Sequence, residues 1–222
     1  MWRDASLVAG RDLRIEARSR VALQQVAPFA LLVLILFAFA LDPEGPLLER
    51  ATPGLYWVTV LFSAVLAVAR SAAVDEADGV RDALRLSGLD PAGMFVGKAL
   101  AVAAELAVLE VLLGAGVVVL YGADPAAVGL LAATCVAATV AVASTGTLYG
   151  ALVSGLRVRE TLLPLLLLPV LAPVLIGGTR AFEAALDGSP ADGWSWCGLL
   201  AAFAVLYSAA GALAYGTLLE GS

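Results

Sequence analysis

Long apolar runs alternate with short polar segments along the whole chain. An α-helix needs about 20 apolar residues to cross the hydrocarbon core of a membrane, and the runs are close to this length. The pattern therefore predicts an all-α integral membrane protein, with a single polytopic domain over residues 1–222. The six predicted transmembrane helices cover residues of about 21–41, 53–69, 94–121, 127–154, 161–177 and 194–218.

The composition supports the same class of protein. Hydrophobic residues make up 61% of the chain and charged residues 14%, and the mean hydropathy is +0.95. In soluble domains, about a quarter of the residues are charged. The net charge is −6, and no basic patch points to a nucleic-acid partner.

Lysine and arginine are distributed unequally between alternate polar segments. Residues 1–20, 70–98 and 157–159 contain eleven of the 13 basic residues, and the segments between them contain only Arg50 and Arg180. Cytoplasmic loops of membrane proteins are enriched in these residues. We therefore expect both termini to lie in the cytoplasm.

Residues 1–20 form a charged segment before the first predicted span. The stretch "GRDLRIEARSR" follows Leu7 and places Leu13 and Ile15 among charged neighbours. This spacing is typical of an amphipathic helix on the membrane surface. A charged flank that only fixes the topology is the alternative interpretation.

The predicted cytoplasmic segment 70–93 is the most informative polar stretch. It contains "VDEADGVRDALRLSGLDP", in which apolar residues around Leu84 can form a stripe beside a charged face. We interpret it as a segment that couples the membrane domain to a soluble ATPase, and an ordinary solvated loop is the alternative. The candidate ATPase-coupling residues are Asp75, Glu76, Asp78, Gly79, Arg81 and Leu84.

Glu105 and Glu110 lie within the third predicted span. Carboxylates are costly in the hydrocarbon region, so they face a bundle interior or a water path by default. A separation of five residues places them about 140° apart on a helix, which excludes a simple paired-carboxylate site. Glu110 is the better candidate for an interior polar contact, because Glu105 is closer to the membrane surface. Tyr56 and Trp57 of the second span are the other candidates for the interior or for a transport pathway.

The fifth predicted span, "TLLPLLLLPVLAPVLIGG", contains Pro164, Pro169 and Pro173. Each proline removes a backbone donor from the helix interior. Such a span is tolerated where neighbouring helices or water satisfy the freed carbonyls. We predict a hinge at these prolines, with a static kink as the alternative.

Catalytic patterns are missing from the sequence. The chain has no histidine, and it has none of the GxSxG, HExxH or GxxxxGK[ST] motifs. The two cysteines, Cys135 and Cys197, are expected to be apolar fillers rather than metal ligands. We therefore expect no enzyme activity and no metal site, and we expect another chain to hydrolyse any nucleotide.

Four stretches in order resemble one family: "RDLRIEARSR", "LLERATPGLYWVTVLFSAVLAVAR", "DEADGVRDALRLSGLDPAGMFVGK" and "TLLPLLLLPVLAPVLIGGTRA". They are similar to the CcmB family, the six-span permease subunit of the haem-exporter ABC complex of cytochrome c maturation. The resemblance implies a type-2 ABC exporter-like permease in the bacterial inner membrane, with haem as a cargo of the complex. The implied partners are a cytosolic CcmA-like ABC ATPase, which binds ATP, a CcmC-like haem-handling membrane subunit, a small membrane subunit, a periplasmic haem chaperone and a second copy of the permease.

Two questions stay open at this point. The chain either moves haem itself or only transmits the motion that releases a loaded chaperone, and the absence of histidine slightly favours the second view. Met94, Tyr56, Tyr121, Tyr149 and the cysteines are weaker haem ligands. A type-2 ABC permease for another substrate, or a non-transporting membrane scaffold, is the alternative function.

Overall fold

The structure, a computed structural model, describes residues 1–19, 22–42, 45–76, 88–154, 156 and 158–220. Within these ranges the chain is helical and contains no strand. The helices are α1 (Trp2–Ser19), α2 (Ala27–Ala40, preceded by a π-helical turn over Ala22–Val26), α3 (Pro46–Glu76), α4 (Pro91–Tyr121), α5 (Val128–Val153), α6 (Arg159–Leu186) and α7 (Pro190–Glu220).

Five of these helices, α3 to α7, are long and apolar enough to cross a membrane. A sixth crossing is obtained when Trp2–Ser19 and Gln24–Ala40, which meet at an angle of 48°, are taken as one bent span. The predicted all-α membrane fold is therefore confirmed. The direction in which the chain crosses the membrane stays a prediction. Following that prediction, we call the end of the bundle that contains Lys98 the inner end and the end that contains Tyr121 the outer end.

Residues 178–193, which separate the fifth and sixth predicted spans, are mostly helical in the structure. Helix α6 continues to Leu186, and α7 begins at Pro190 after a turn in which Gly188 has φ +72°. The helix can continue because its polar residues lie on one face. Arg180 donates to Glu183 at 2.9 Å on the exposed side, while apolar residues of the same turns are buried.

Helix α1 packs on the first turns of α4 through small residues. Ala5, Val8 and Ala9 are buried; Ala5 and Val8 face Gly97 of α4, and Met1 and Asp4 face Gly93. A Cβ atom at Gly97 would lie 2.6 Å from the carbonyl oxygen of Ala5, so only glycine allows this approach. Leu7, Leu13 and Ile15, the apolar residues of the predicted amphipathic helix, are exposed instead.

Candidate functional site

A polar cluster lies inside the bundle where α3, α4 and α5 meet. Glu110 of α4 is 6% exposed, and Thr139 of α5 donates from Oγ1 to its Oε1 at 2.7 Å. The hydroxyl of Tyr56, on α3, donates to the backbone carbonyl of Glu110 at 3.3 Å and lies 3.7 Å from Sγ of Cys135. We call Tyr56, Glu110, Cys135 and Thr139 the polar cluster.

The aromatic ring of Tyr56 connects the polar cluster to α6. It stacks on Phe182 with ring centroids 4.8 Å apart and meets Trp57 edge-on at 5.4 Å. Both Tyr56 and Trp57 are 2% exposed. The cluster therefore joins four helices through one buried tyrosine.

Trp57 packs against backbone and does not join the polar cluster. A Cβ atom at Gly178 would lie 2.7 Å from two ring atoms of the indole, so α6 passes directly over the ring. Among the described residues none accepts a hydrogen bond from Nε1 of Trp57. A buried donor without a partner costs about 1–3 kcal/mol, which makes this contact a costly one.

A groove of about 750 Å³ opens on the surface of the bundle between α4 and α5. We call it the α4–α5 groove. Its lining is almost wholly apolar, and the polar cluster lies in its floor. The residues that line it on these two helices include Leu100, Ala103, Ala104, Ala107, Glu110, Val111, Gly114, Val118, Val128, Ala132, Cys135, Val136, Thr139 and Val140.

Glu105 lies apart from Glu110, towards the inner end. Its side chain is partly buried, and it lines a small cavity of about 40 Å³ together with Asp12, Glu16 and Arg70. Glu105 and Glu110, the two acidic residues of the third predicted span, therefore lie in different environments. Glu110 contributes to the polar cluster, and Glu105 faces the charged residues of α1 and α3.

Ion pairs hold α1 at the inner end, and two of them join side chains of α1 to α3 and α4. Nζ of Lys98 lies 3.3 Å from Oδ2 of Asp12, and these side chains are only 5% and 11% exposed. Arg70 of α3 lies 2.9 Å from Glu16 and also donates to Oγ of Ser19. From the sequence, Lys98 and Arg70 were expected only to set the topology, and these pairs were not predicted. Asp12 and Glu16 are four residues apart, and that spacing on one face of α1 was the signal for them.

The predicted ATPase-coupling residues lie next to these ion pairs along the chain. The backbones of Asp75 and Glu76 form the last residues of α3. Asp78, Gly79, Arg81 and Leu84 lie outside the described residues. Helix α4 then begins at Pro91, and the Asp90 side chain caps it by accepting from the backbone N–H of Gly93 at 3.2 Å.

The three predicted hinge prolines lie inside one helix, α6. Pro169 and Pro173 are exposed and Pro164 is partly buried, whereas the buried face consists of Leu163, Leu167, Leu171 and Val174. A proline cannot donate to the carbonyl four residues earlier, so the carbonyls of residues 160, 165 and 169 lack that helical partner. Pro169 and Pro173 therefore lie on the side of α6 that faces away from the core, whereas Pro164 lies at the edge of the buried face.

The candidate haem ligands do not gather at one point. Tyr121 donates to the carbonyl of Leu34 at 2.9 Å, and Met94 is buried in the packing between α1, α4 and α7. Tyr56 and Cys135 are neighbours within the polar cluster. Among the described residues, no group of three or more histidine, cysteine or acidic side chains is placed to hold a metal ion.

Comparisons with known proteins give one consistent result. The family model described as CcmB protein matches residues 3–221. The Heme exporter protein B of Pseudomonas aeruginosa is 31% identical over 201 residues, which cover 90% of each chain. The Heme exporter protein B of Paracoccus denitrificans is 33% identical over 180 residues, which cover 81% of this chain and 82% of that protein. The Heme exporter protein B of Escherichia coli (strain K12) is 39% identical over 183 residues, which cover 82% of this chain and 83% of that protein. The chain therefore belongs to the CcmB family.

Proposed function

We propose that this chain is the membrane permease subunit of a haem-export ABC complex in the bacterial inner membrane. The observation that carries the proposal is family membership over almost the whole chain, together with relatives named for haem export. The apolar helices are those of a multi-pass subunit. The product of such a system is haem delivered to c-type cytochromes.

In this proposal ATP is bound and hydrolysed by a separate cytosolic ABC ATPase of the CcmA type. The chain has no GxxxxGK[ST] motif of its own, so it contributes the membrane part only. The remaining partners are a CcmC-like membrane subunit that handles haem, a small membrane subunit and a periplasmic haem chaperone. They follow from the family resemblance.

Motion of the ATPase would enter the membrane domain at the inner end of the bundle. Helices α3 and α4 flank the predicted coupling segment, and each is joined to α1 by an ion pair, Arg70–Glu16 and Lys98–Asp12. An ATPase that pushes on this segment therefore moves α1, α3 and α4 as one unit. The polar cluster carries the motion further, because Tyr56 and Glu110 link α3 and α4 to α5 and α6.

We infer that the subunit transmits motion that releases the loaded chaperone and does not itself ligate haem. Tyr56 and Cys135 are neighbouring side chains at the groove that could ligate haem iron, but the Tyr56 hydroxyl already donates to the backbone carbonyl of Glu110. The sequence offers no histidine as a stronger axial ligand. Passage of haem through the α4–α5 groove is the competing mechanism.

A deletion strain tests the function. Cells without this chain should accumulate c-type apocytochrome without covalently attached haem, while b-type cytochromes, which need no such delivery, keep their haem. Re-expression of the chain should restore the covalent haem signal on denaturing gels. Normal covalent haem in the deletion strain would refute the proposal and leave a permease for another substrate or a scaffold as the alternative.

A further inference from the structure

Glu110 lies near the middle of the stretch of α4 from Lys98 to Tyr121, which we take as its membrane-spanning part. It is 12 residues from Lys98 at the inner end and 11 residues from Tyr121 at the outer end. At 1.5 Å per residue these distances are about 18 Å and 16 Å, and their total of about 34 Å is close to the hydrocarbon thickness of about 30 Å. The α4–α5 groove runs past this level in both directions, from Leu100 to Val118 along α4.

The shape of the groove suits another α-helix. Small residues form much of its floor: Ala103, Ala104, Ala107, Gly114 and Ala132. Its sides carry exposed valines, among them Val111 at 75% and Val136 at 65% exposure. Small residues allow helix backbones to approach closely in a membrane, and β-branched side chains beside them provide packing contacts that lose little conformational entropy.

As a carboxylate, the group in the floor can accept more hydrogen bonds than the described residues donate to it. A carboxylate offers about four acceptor positions. Thr139 occupies one of them, and the Cys135 thiol, a weak donor, is the other polar neighbour. The described residues that line the groove include no lysine or arginine. Lipid acyl chains would cover the valines but would leave Glu110 without a counter-charge.

We propose that the α4–α5 groove is the docking site for a transmembrane helix of a partner subunit, and that this helix carries a lysine or arginine level with Glu110. The partner's basic side chain approaches the carboxyl oxygens while its backbone packs on the alanine and glycine floor. This inference rests on the proposed function only in taking the partner from the same export complex.

Photocrosslinking in intact membranes tests the site. A benzophenone amino acid is placed at Val111 or Val136, whose exposed side chains on the sides of the groove can reach a helix bound there. The matched control carries the same amino acid at Leu213, which is 85% exposed on α7. We expect crosslinks from the two groove positions to a membrane-protein partner. Peptide mapping should place the crosslink in a transmembrane segment, within one helical turn of a lysine or arginine.

The charge is tested by Glu110→Gln, with Glu105→Gln as the control. Loss of one member of a buried charge pair should lower the crosslinking yield by about tenfold or more, and Glu105→Gln should leave it unchanged. Exchanging the charges, with Glu110→Lys and the partner's base changed to glutamate, should restore it. Comparable membrane levels of each variant show that folding is retained.

Several results would overturn the inference. They are crosslinks only to lipid or to a second copy of this chain, a mapped partner segment without a basic residue, equal yields at Leu213, or no effect of Glu110→Gln. Covalent haem in c-type cytochromes, measured in the same strains, separates the two proposals. Normal maturation after deletion of the chain contradicts the function, whereas maturation that needs the chain without any groove crosslink contradicts only the docking site.

Discussion

The ammonium group of Lys98 lies 3.3 Å from Oδ2 of Asp12, and 86 positions of sequence separate the two residues. Both side chains are nearly buried, so the pair is shielded from solvent at the junction of α1 and α4. Arg180 and Glu183 form a pair of similar geometry at 2.9 Å, but they are 59% and 44% exposed. The two pairs therefore offer a direct comparison between a buried and an exposed ion pair in one molecule.

We expect Lys98→Met to destabilise the protein more than Arg180→Met. Asp12 keeps a second cation, the guanidinium of Arg11 at 2.6 Å, so the cost should fall below the about 3–5 kcal/mol of an uncompensated buried charge but exceed the about 0–1 kcal/mol of an exposed pair. The double variant Asp12→Asn/Lys98→Met should recover part of the loss. The loss of stability is measured by thermal unfolding of each purified variant in detergent. Equal losses for Lys98→Met and Arg180→Met would contradict the prediction.

Gly97→Ala should weaken the packing of α1 on α4. The new Cβ would lie 2.6 Å from the Ala5 carbonyl oxygen and 2.8 Å from Cβ of Val8, so α1 must move. Overpacking of this kind costs about 1–3 kcal/mol. Gly198→Ala on α7 is the control, because a Cβ there meets nothing within 4 Å. Protease accessibility of α1 and the unfolding midpoint should change only for Gly97→Ala.

The predicted topology is tested by reporter fusions after Asp42, Asp124 and Asp187. Each position follows a helix that ends at the outer end of the bundle. Alkaline phosphatase, which is active only outside the cytoplasm, should be active at all three. Fusions after Ser154 should be inactive. Inactive fusions at two of the three outer positions would overturn the orientation.

Leu84→Asp tests the predicted contact with the ATPase. If an apolar stripe around Leu84 docks on the soluble subunit, the substitution should reduce ATPase co-purification while the permease stays in the membrane. Leu156→Asp, in the other predicted cytoplasmic loop, is the matched control and should retain the ATPase. Unchanged co-purification with Leu84→Asp would favour the solvated-loop interpretation.

Pro169→Ala distinguishes a moving hinge from a static kink in α6. Alanine restores a backbone donor to the carbonyl of residue 165, so the helix becomes stiffer and folding should be retained. A hinge predicts less covalent haem in c-type cytochromes per membrane-inserted permease. A static kink predicts an unchanged ratio. Pro190→Ala is the control, because a first-turn proline replaces no helical hydrogen bond.

The membrane class and the number of long helices could be predicted from sequence because they depend on the chain's own hydropathy. Glu110 could be predicted as an interior residue for the same reason, since a carboxyl inside an apolar run must find a polar contact. The helix ends were harder to predict. Residues 178–186 carry Thr179, Arg180 and Glu183, and their average polarity hides an apolar face that includes Ala181 and Phe182.

The partners of Glu110 and Lys98 could not be predicted from the pattern alone. Thr139 is one of several threonines in α5, and only the rotation of α5 against α4 selects it. Asp12 is paired through the close approach at Gly97, which depends on the tertiary packing of α1. Such contacts arise from helix packing, and the periodicity of a single helix does not contain that information.

The pairing of Lys98 with Asp12 also sets an order for biogenesis. The ribosome makes α1 first, yet the partner of its buried carboxylate is 86 residues further along the chain. At about 5–20 residues per second, α1 emerges roughly 4–17 s before Lys98 does. We expect the nascent α1, with its amphipathic sequence, to stay at the membrane surface during that interval. Its docking on α4 therefore becomes a late step of membrane insertion, and the inner end is completed only after the third apolar run has been inserted.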